Sequence, residues 1–391
     1  MRIVEWRERT VPLDGDVRNA VVSFADHTVS IVAAVSDQRR GGRPVVGFGF
    51  NSIGRFAQGG ILRERLFPRL RGADPDALLA GDGRSFDPAA VAAVAMTNEK
   101  PGGHGDRAGA VAAVELAVWD LEAKLRDEPA CATIARAAGR APTPYPVSVY
   151  AAGGYYYGDD SVRRLRAELD GYRALGFDAF KIKVGGAPLD VDLARVEAAL
   201  DVAGAGSCLA VDANGRFGVE AAQTYGRALA PYGLRWFEEP GDPLDYALLR
   251  QLIDGYAGPV ATGENLFSAA DAENLVRFGG MRPEVDVIQV DPGLSYGITE
   301  YLHVLDRLEA HGFDRNRCFP HGGHLINLHV VVGLGLGGCE AYPGVFGPFG
   351  GYAPTCAIGG GTVAPSDAPG FGLEEKPDLA SHLAAMVEDL A

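Results

Sequence analysis

Lys181 and Lys183 stand two residues apart at the end of the apolar run 179–183. A period of two puts both amines on one face of a strand and turns Ile182 to the other. Further along, Asp212, Glu238, Glu264, Asp291, His321 and Glu340 each follow an apolar run, at steps of 26, 26, 27, 30 and 19 residues. Three gathered carboxylates repel one another unless a cation sits between them. Oxygen donors with open positions suit octahedral Mg²⁺ rather than zinc, so Asp212, Glu238 and Glu264 are the expected metal ligands. Within Trp236-Phe-Glu-Glu-Pro240, Glu238 keeps the 26-residue step on both sides, and Glu239 is expected to point the other way. A lysine beside another cation loses its proton more readily than its ordinary pKa of about 10.4 suggests, and can then act as a base. His321, in Pro320-His-Gly-Gly-His324, is the complementary candidate, with Asp291 placed to hold its ring and His324 expected as a neighbour on the next helix.

Residues so far apart meet only if their strands lie side by side. Eight short apolar runs, at 147–150, 179–183, 208–211, 234–237, 259–261, 285–290, 318–319 and 338–341, alternate with helical stretches. Parallel neighbours need a crossover, so the pattern predicts a parallel βα barrel with the polar strand ends gathered at one mouth. Ahead of it, the first 130 residues read as a separate α+β unit. Strand-like runs at 2–6, 20–24, 29–35 and 44–50 precede helical periodicity over 57–128. A proline-rich joint, Pro142 to Pro146, separates the two regimes, and the tail has no place in the strand count.

Composition narrows the function further. The chain has 391 residues, and its 53 Gly and 24 Pro show no period, which excludes collagen-like repeats. A net charge of -15 without a basic cluster argues against nucleic acid as a partner. No stretch reaches 18 uninterrupted apolar residues, so no membrane partner is expected and the protein is read as soluble and cytoplasmic. The five cysteines are an odd set without a Cys-x-x-Cys pair and are expected to be reduced bystanders. Only five lysines stand against 31 arginines, which singles out each lysine for attention. The glycine-rich 333–338 lacks the strand-then-helix setting of a dinucleotide site.

Together these residues resemble the enolase superfamily and, within it, the mandelate racemase-like group. That group is marked by Lys-x-Lys on strand two, acidic metal ligands on strands three to five, and a His-Asp dyad on strands seven and six. Longer strings are similar to those of the group's members that dehydrate D-tartrate: GFGFNS (47–52), NEKPGGHG (98–105), YAAGGYYY (150–157), DANGRF (212–217), GDPLDY (241–246) and TGENLFS (262–268). The resemblance implies an α+β capping domain over 1–130 and a (β/α)7β TIM-like barrel over 131–350, with its active site at the strand C-terminal ends. Residues 351–391 would pack back on the capping domain. The implied activity is a Mg²⁺-dependent hydro-lyase taking D-tartrate to oxaloacetate through an enediolate, with Lys183 as base, His321 as acid and Asp291 as its partner. Asn51, Lys100, Lys181, Asn214 and Glu340 match polar positions around the substrate. The expected partners are a small dicarboxylate substrate and further copies of the chain in a homo-oligomer. The alternatives are a dehydratase of another acid sugar, an aldonate or aldarate, or a racemase of the same superfamily.

Overall fold

The computed structural model describes residues 1–15, 17–141, 146–157 and 161–390. The chain opens with an antiparallel meander of β1 (Ile3–Pro12), β2 (Thr28–Arg40) and β3 (Arg43–Phe50). β2 is covered on both faces, and its alternation sorts it between two cores: Val29, Ile31 and Ala33 enter the larger one, Val32 and Ala34 the smaller. The expected strand at 20–24 does not form. Asn19 Oδ1 accepts the N–H groups of Val21 and Val22 at 2.8 and 2.7 Å, a local turn that competes with strand pairing.

The helix Asp106–Arg126 is buried continuously from Ala108 to Ala123, which explains why its sequence is apolar on every side. Gly47 lets β3 approach this helix closely, since a Cβ there would run into the Ala117 carbonyl oxygen. Two acidic side chains inside this helix act as joints. Glu115 accepts the N–H groups of Ile298 and Thr299 at 3.0 and 2.9 Å, and so caps the helix Ile298–Ala310 from a distant part of the chain. Asp120 accepts from Phe48 N–H (2.8 Å), Phe371 N–H (2.7 Å) and Lys124 Nζ (2.6 Å), tying β3, this helix and the C-terminal segment at one buried point.

The second sheet begins at β4 (Val147–Ala152) and runs in parallel through β5 (Phe180–Lys183), β6 (Leu209–Asp212), β7 (Phe237–Glu238), β8 (Val260–Thr262) and β9 (Val287–Ile288). A helix lies between each pair of neighbours and supplies the crossover. The two ends of this run are linked. Phe319 N–H donates to Ile288 O at 2.9 Å, Gly337 N–H to Cys318 O at 3.1 Å, and β10 (Cys339–Ala341) pairs in parallel with β4. Residues 318–319, expected as a strand, therefore join through a single bridge. Lys183 is the register partner of Asp212, and Asp212 of Glu238, so these three side chains leave the sheet at one level.

The tail forms a hairpin that was not expected from the sequence. β11 (Ala357–Gly359) turns at Gly360-Gly361, where both glycines have positive φ (56° and 68°), into β12 (Thr362–Ala364), which pairs antiparallel with β4. Beyond it, Arg7 Nη1 donates to Met386 O at 2.7 Å. Pro142 to Tyr145 of the proline joint lie outside the described residues. Among the described residues no helix is long and apolar enough to cross a membrane, and all five cysteines are free.

Candidate active site

Asp212 and Glu238 end β6 and β7, and Glu264 follows β8 by two residues. One carboxylate oxygen from each lies within 4.8 Å of the other two. Glu238 is held on both sides: Oε2 accepts from Trp236 Nε1 and Gln289 Nε2, each at 2.8 Å, and Oε1 from Lys181 Nζ at 2.5 Å. Asp212 Oδ1 accepts Asn214 N–H at 2.8 Å, while its Oδ2 takes Lys183 Nζ at 2.5 Å. Lys181 also reaches Glu340 Oε1 at 2.7 Å. Burial pushes the Glu238 carboxyl up to about 7; Lys181 opposes the rise, and Asp212, Glu340 and Glu264 add to it. A divalent cation at the triad would relieve that repulsion, and an all-oxygen donor set suits a hard ion, so the residues present fit Mg²⁺.

His321 follows the 318–319 bridge. Its Nδ1 lies 3.2 Å from Asp291 Oδ2, and its Nε2 lies 3.1 Å from Tyr342 OH and 3.4 Å from Glu264 Oε2. Asp291 Oδ1 in turn accepts Gly293 N–H at 2.8 Å and Asn327 Nδ2 at 3.1 Å, which fixes the carboxylate and through it the imidazole. Burial alone would lower the His321 pKa, but Glu264, Asp291 and Glu340 outweigh it and raise it to about 9. Asp291 stays below the ordinary carboxylate range despite its burial, through its bond to His321. His324 caps the helix Leu325–Leu334 and meets Ser52 Oγ at 2.9 Å; burial pushes it down to about 4.

Lys183, Asn214, Glu264 and His321 open on one cavity of about 230 Å³, together with Tyr342 and residues of two loops of the N-terminal unit. Asp212, Asp291 and Glu340 contact these side chains without lining the cavity, and Lys181 and Glu238 stand behind them, Lys181 between Glu238 and Glu340. Two expected substrate residues lie elsewhere. Asn51 is buried with its Oδ1 accepting Ser30 N–H at 2.8 Å, which makes it a brace of β2. Lys100 is exposed and lines a separate cavity with Glu99, His104, Arg107 and Tyr296.

Glu239 corrects the sequence reading. Its φ of 37° breaks the strand alternation, and the side chain turns into the cavity, where Asn265 Nδ2 donates to its two oxygens at 2.8 and 3.0 Å. Burial, reinforced by Glu264 and Asp212, raises its carboxyl well above the ordinary range. The reading also passed over Trp236, Gln289 and Tyr342. Each sits two residues from a residue it did find, Glu238, Asp291 and Glu340 respectively, so the period-two rule applied to Lys181 and Lys183 would have reached them.

Residues 164–379 match the family model described as enolase C-terminal domain-like. The chain is 32% identical over 273 residues to the 3,6-anhydro-alpha-L-galactonate cycloisomerase of Streptomyces coelicolor, covering 70% of each chain. It is 28% identical over 228 residues to the arabinonate dehydratase of Saccharolobus solfataricus, covering 57% of this chain and 58% of that one. The crystal structure of a racemase from Streptomyces coelicolor, which holds magnesium, superposes with a TM-score of 0.76 at 24% identity, covering 98% of this chain and 99% of the other. The chain belongs to the enolase superfamily, with the C-terminal domain of the mandelate racemase and muconate lactonizing group, and is an enzyme.

Proposed function

We propose that the protein is a Mg²⁺-dependent hydro-lyase converting D-tartrate to oxaloacetate, on a (β/α)7β barrel whose mouth is covered by residues 1–130. The observation that carries this reading is that Lys183 and His321, from different strands, open on one small cavity beside three mutually close carboxylates. Asp212, Glu238 and Glu264 would hold Mg²⁺. Bound there, the ion would polarise a substrate carboxylate and stabilise the negative charge that develops as the α-proton leaves.

Lys183 Nζ takes the α-proton, and the electron pair of that C–H bond moves into the substrate carboxylate to give an enediolate, which then forms a carbon–carbon double bond as the β C–O bond breaks. His321 delivers a proton to the leaving hydroxyl from Nε2, the nitrogen that Asp291 does not hold. Water departs, and the enol left behind takes a proton at carbon to become the 2-keto acid. Lys181 positions Glu238 and Glu340, and Asn214 orients Asp212 and faces the substrate. The cavity is smaller than the roughly 300–1,000 Å³ of pockets for drug-sized ligands, which favours a four-carbon acid.

A second reading, a dehydratase of a longer monocarboxylic acid sugar, is favoured by the likeness to arabinonate dehydratase. Incubation with Mg²⁺ and a panel of acid sugars, followed by assay for 2-keto acids, separates the two. D-tartrate is expected to yield oxaloacetate. Efficient dehydration of five- or six-carbon monoacids without turnover of D-tartrate selects the second reading.

A further inference from the structure

Among the described residues three cationic side chains line the cavity: Lys183, His321 and Arg55. The first two are engaged by carboxylates, Lys183 by Asp212 at 2.5 Å and His321 by Asp291 at 3.2 Å. Arg55 pairs with no carboxylate among the described residues. Its Nη2 donates to Asn265 Oδ1 at 2.5 Å, and its guanidinium carbon lies 5.2 Å over the Phe267 ring. The amide nitrogen of Asn265 is occupied by Glu239, at 2.8 and 3.0 Å, and lies 3.3 Å from Glu264 Oε1. The guanidinium is thus fixed one amide away from the carboxylate triad, with most of its five N–H donors left for a ligand.

Charge makes this placement specific. Glu239 and Glu264 line the cavity and repel a second anionic end of a bound molecule, while Arg55 is the lining cation left without a carboxylate partner among the described residues. A planar fork already stacked on an aromatic ring matches a carboxylate with little loss of freedom on binding. Lys100, expected from sequence for this task, lines a different cavity. We propose that Arg55 receives the second carboxylate of a short dicarboxylic substrate and so sets a preference for diacids over monoacid sugars. The inference rests on the reading of this cavity as the active site, though not on D-tartrate as the particular diacid.

The test is calorimetric binding of succinate and butyrate, two unreactive acids of the same chain length, to Mg²⁺-loaded protein. Wild type should bind succinate about tenfold or more tighter than butyrate. R55M should lose roughly tenfold to a hundredfold in succinate affinity and stay within about twofold for butyrate, with R55K restoring part of the loss. With whichever diacid is turned over, R55M should raise KM while kcat stays within about threefold. Equal losses for both acids would show that Arg55 only props Asn265 and would overturn the proposal, as would a loss carried by K100M instead of R55M or a wild type without preference. Preference for diacids through Arg55 combined with no turnover of D-tartrate would leave this inference standing and reject the tartrate reading. Binding of neither acid would reject both.

Discussion

The lysines of the cavity and those of the seam where the C-terminal segment packs on the rest of the chain, Lys124 and Lys376, are all largely shielded from solvent, and their surroundings differ. At the seam, Lys124 meets Asp120 at 2.6 Å and Glu374 at 2.5 Å, and Asp120 also accepts two backbone N–H groups. Lys376 donates to the carbonyl oxygens of Phe349, Gly350 and Gly351. Every one of these donors has an acceptor. At the cavity, six carboxylates (Asp212, Glu238, Glu239, Glu264, Asp291 and Glu340) outnumber two lysines, one histidine and Arg55, and burial with like charge holds Glu238 at about 7. Buried donors that each meet an acceptor fasten two parts of the chain together, whereas buried charge in excess of one sign needs a ligand to complete it.

The contrast breaks most visibly at Lys183. K183A should cut kcat by roughly 10²- to 10⁴-fold and abolish exchange of the substrate α-hydrogen with deuterated solvent, while H321N loses dehydration but keeps exchange, both read by NMR. Exchange that survives K183A and vanishes in H321N would reverse the two roles. Next in size is the triad. E238Q should weaken Mg²⁺ binding by about tenfold or more in calorimetry, and excess chelator should stop turnover until Mg²⁺ is restored. Full activity in chelator would mean that the excess charge has no metal to complete it.

The seam should respond in stability and leave chemistry intact. D120N removes a fully buried partner of Lys124 and should cost about 3 kcal/mol in urea unfolding, with kcat of the folded fraction unchanged. Lys376 provides a pH signature. Burial lowers its pKa to about 8, so between that value and about 10.4 the unfolded chain holds a proton that the folded chain lacks. Stability should therefore rise with pH across this window by on the order of 2 kcal/mol relative to K376M, and show no such difference in slope below pH 7. The smallest effect belongs to E374Q. Glu374 is 44% exposed, so its loss should change stability by no more than about 0.5 kcal/mol.

How much of this was legible depends on whether a period encodes it. Lys183, Asp212, Glu238 and Glu264 could be found because successive parallel strands deliver their last residue to the same end, one βα unit apart. Glu239 could not, because its positive φ lies outside any alternation. Lys100 and Asn51, expected near the substrate, do not line this cavity, and the reason is different. Where a loop of the N-terminal unit ends up is set by packing between distant elements, and the charged residue of that unit that lines the cavity, Arg55, lies four positions beyond Asn51 past a turn at Gly54. The hairpin 357–364 carried its Gly-Gly signal, but strands of three residues are too short for alternation to register.

The cap that Glu115 places on the helix Ile298–Ala310 spans 183 residues of sequence. It therefore closes only once two distant helices have met. The turn from Asp291 to Gly297 feeds directly into that helix, and its first N–H groups stay without a partner until the helix Asp106–Arg126 has docked. A ribosome must emit about three quarters of the chain before this bond can close. A fragment beginning after residue 130 would carry Lys183, the triad and His321 in sequence, yet would hold Asp291 on a helix start that nothing finishes.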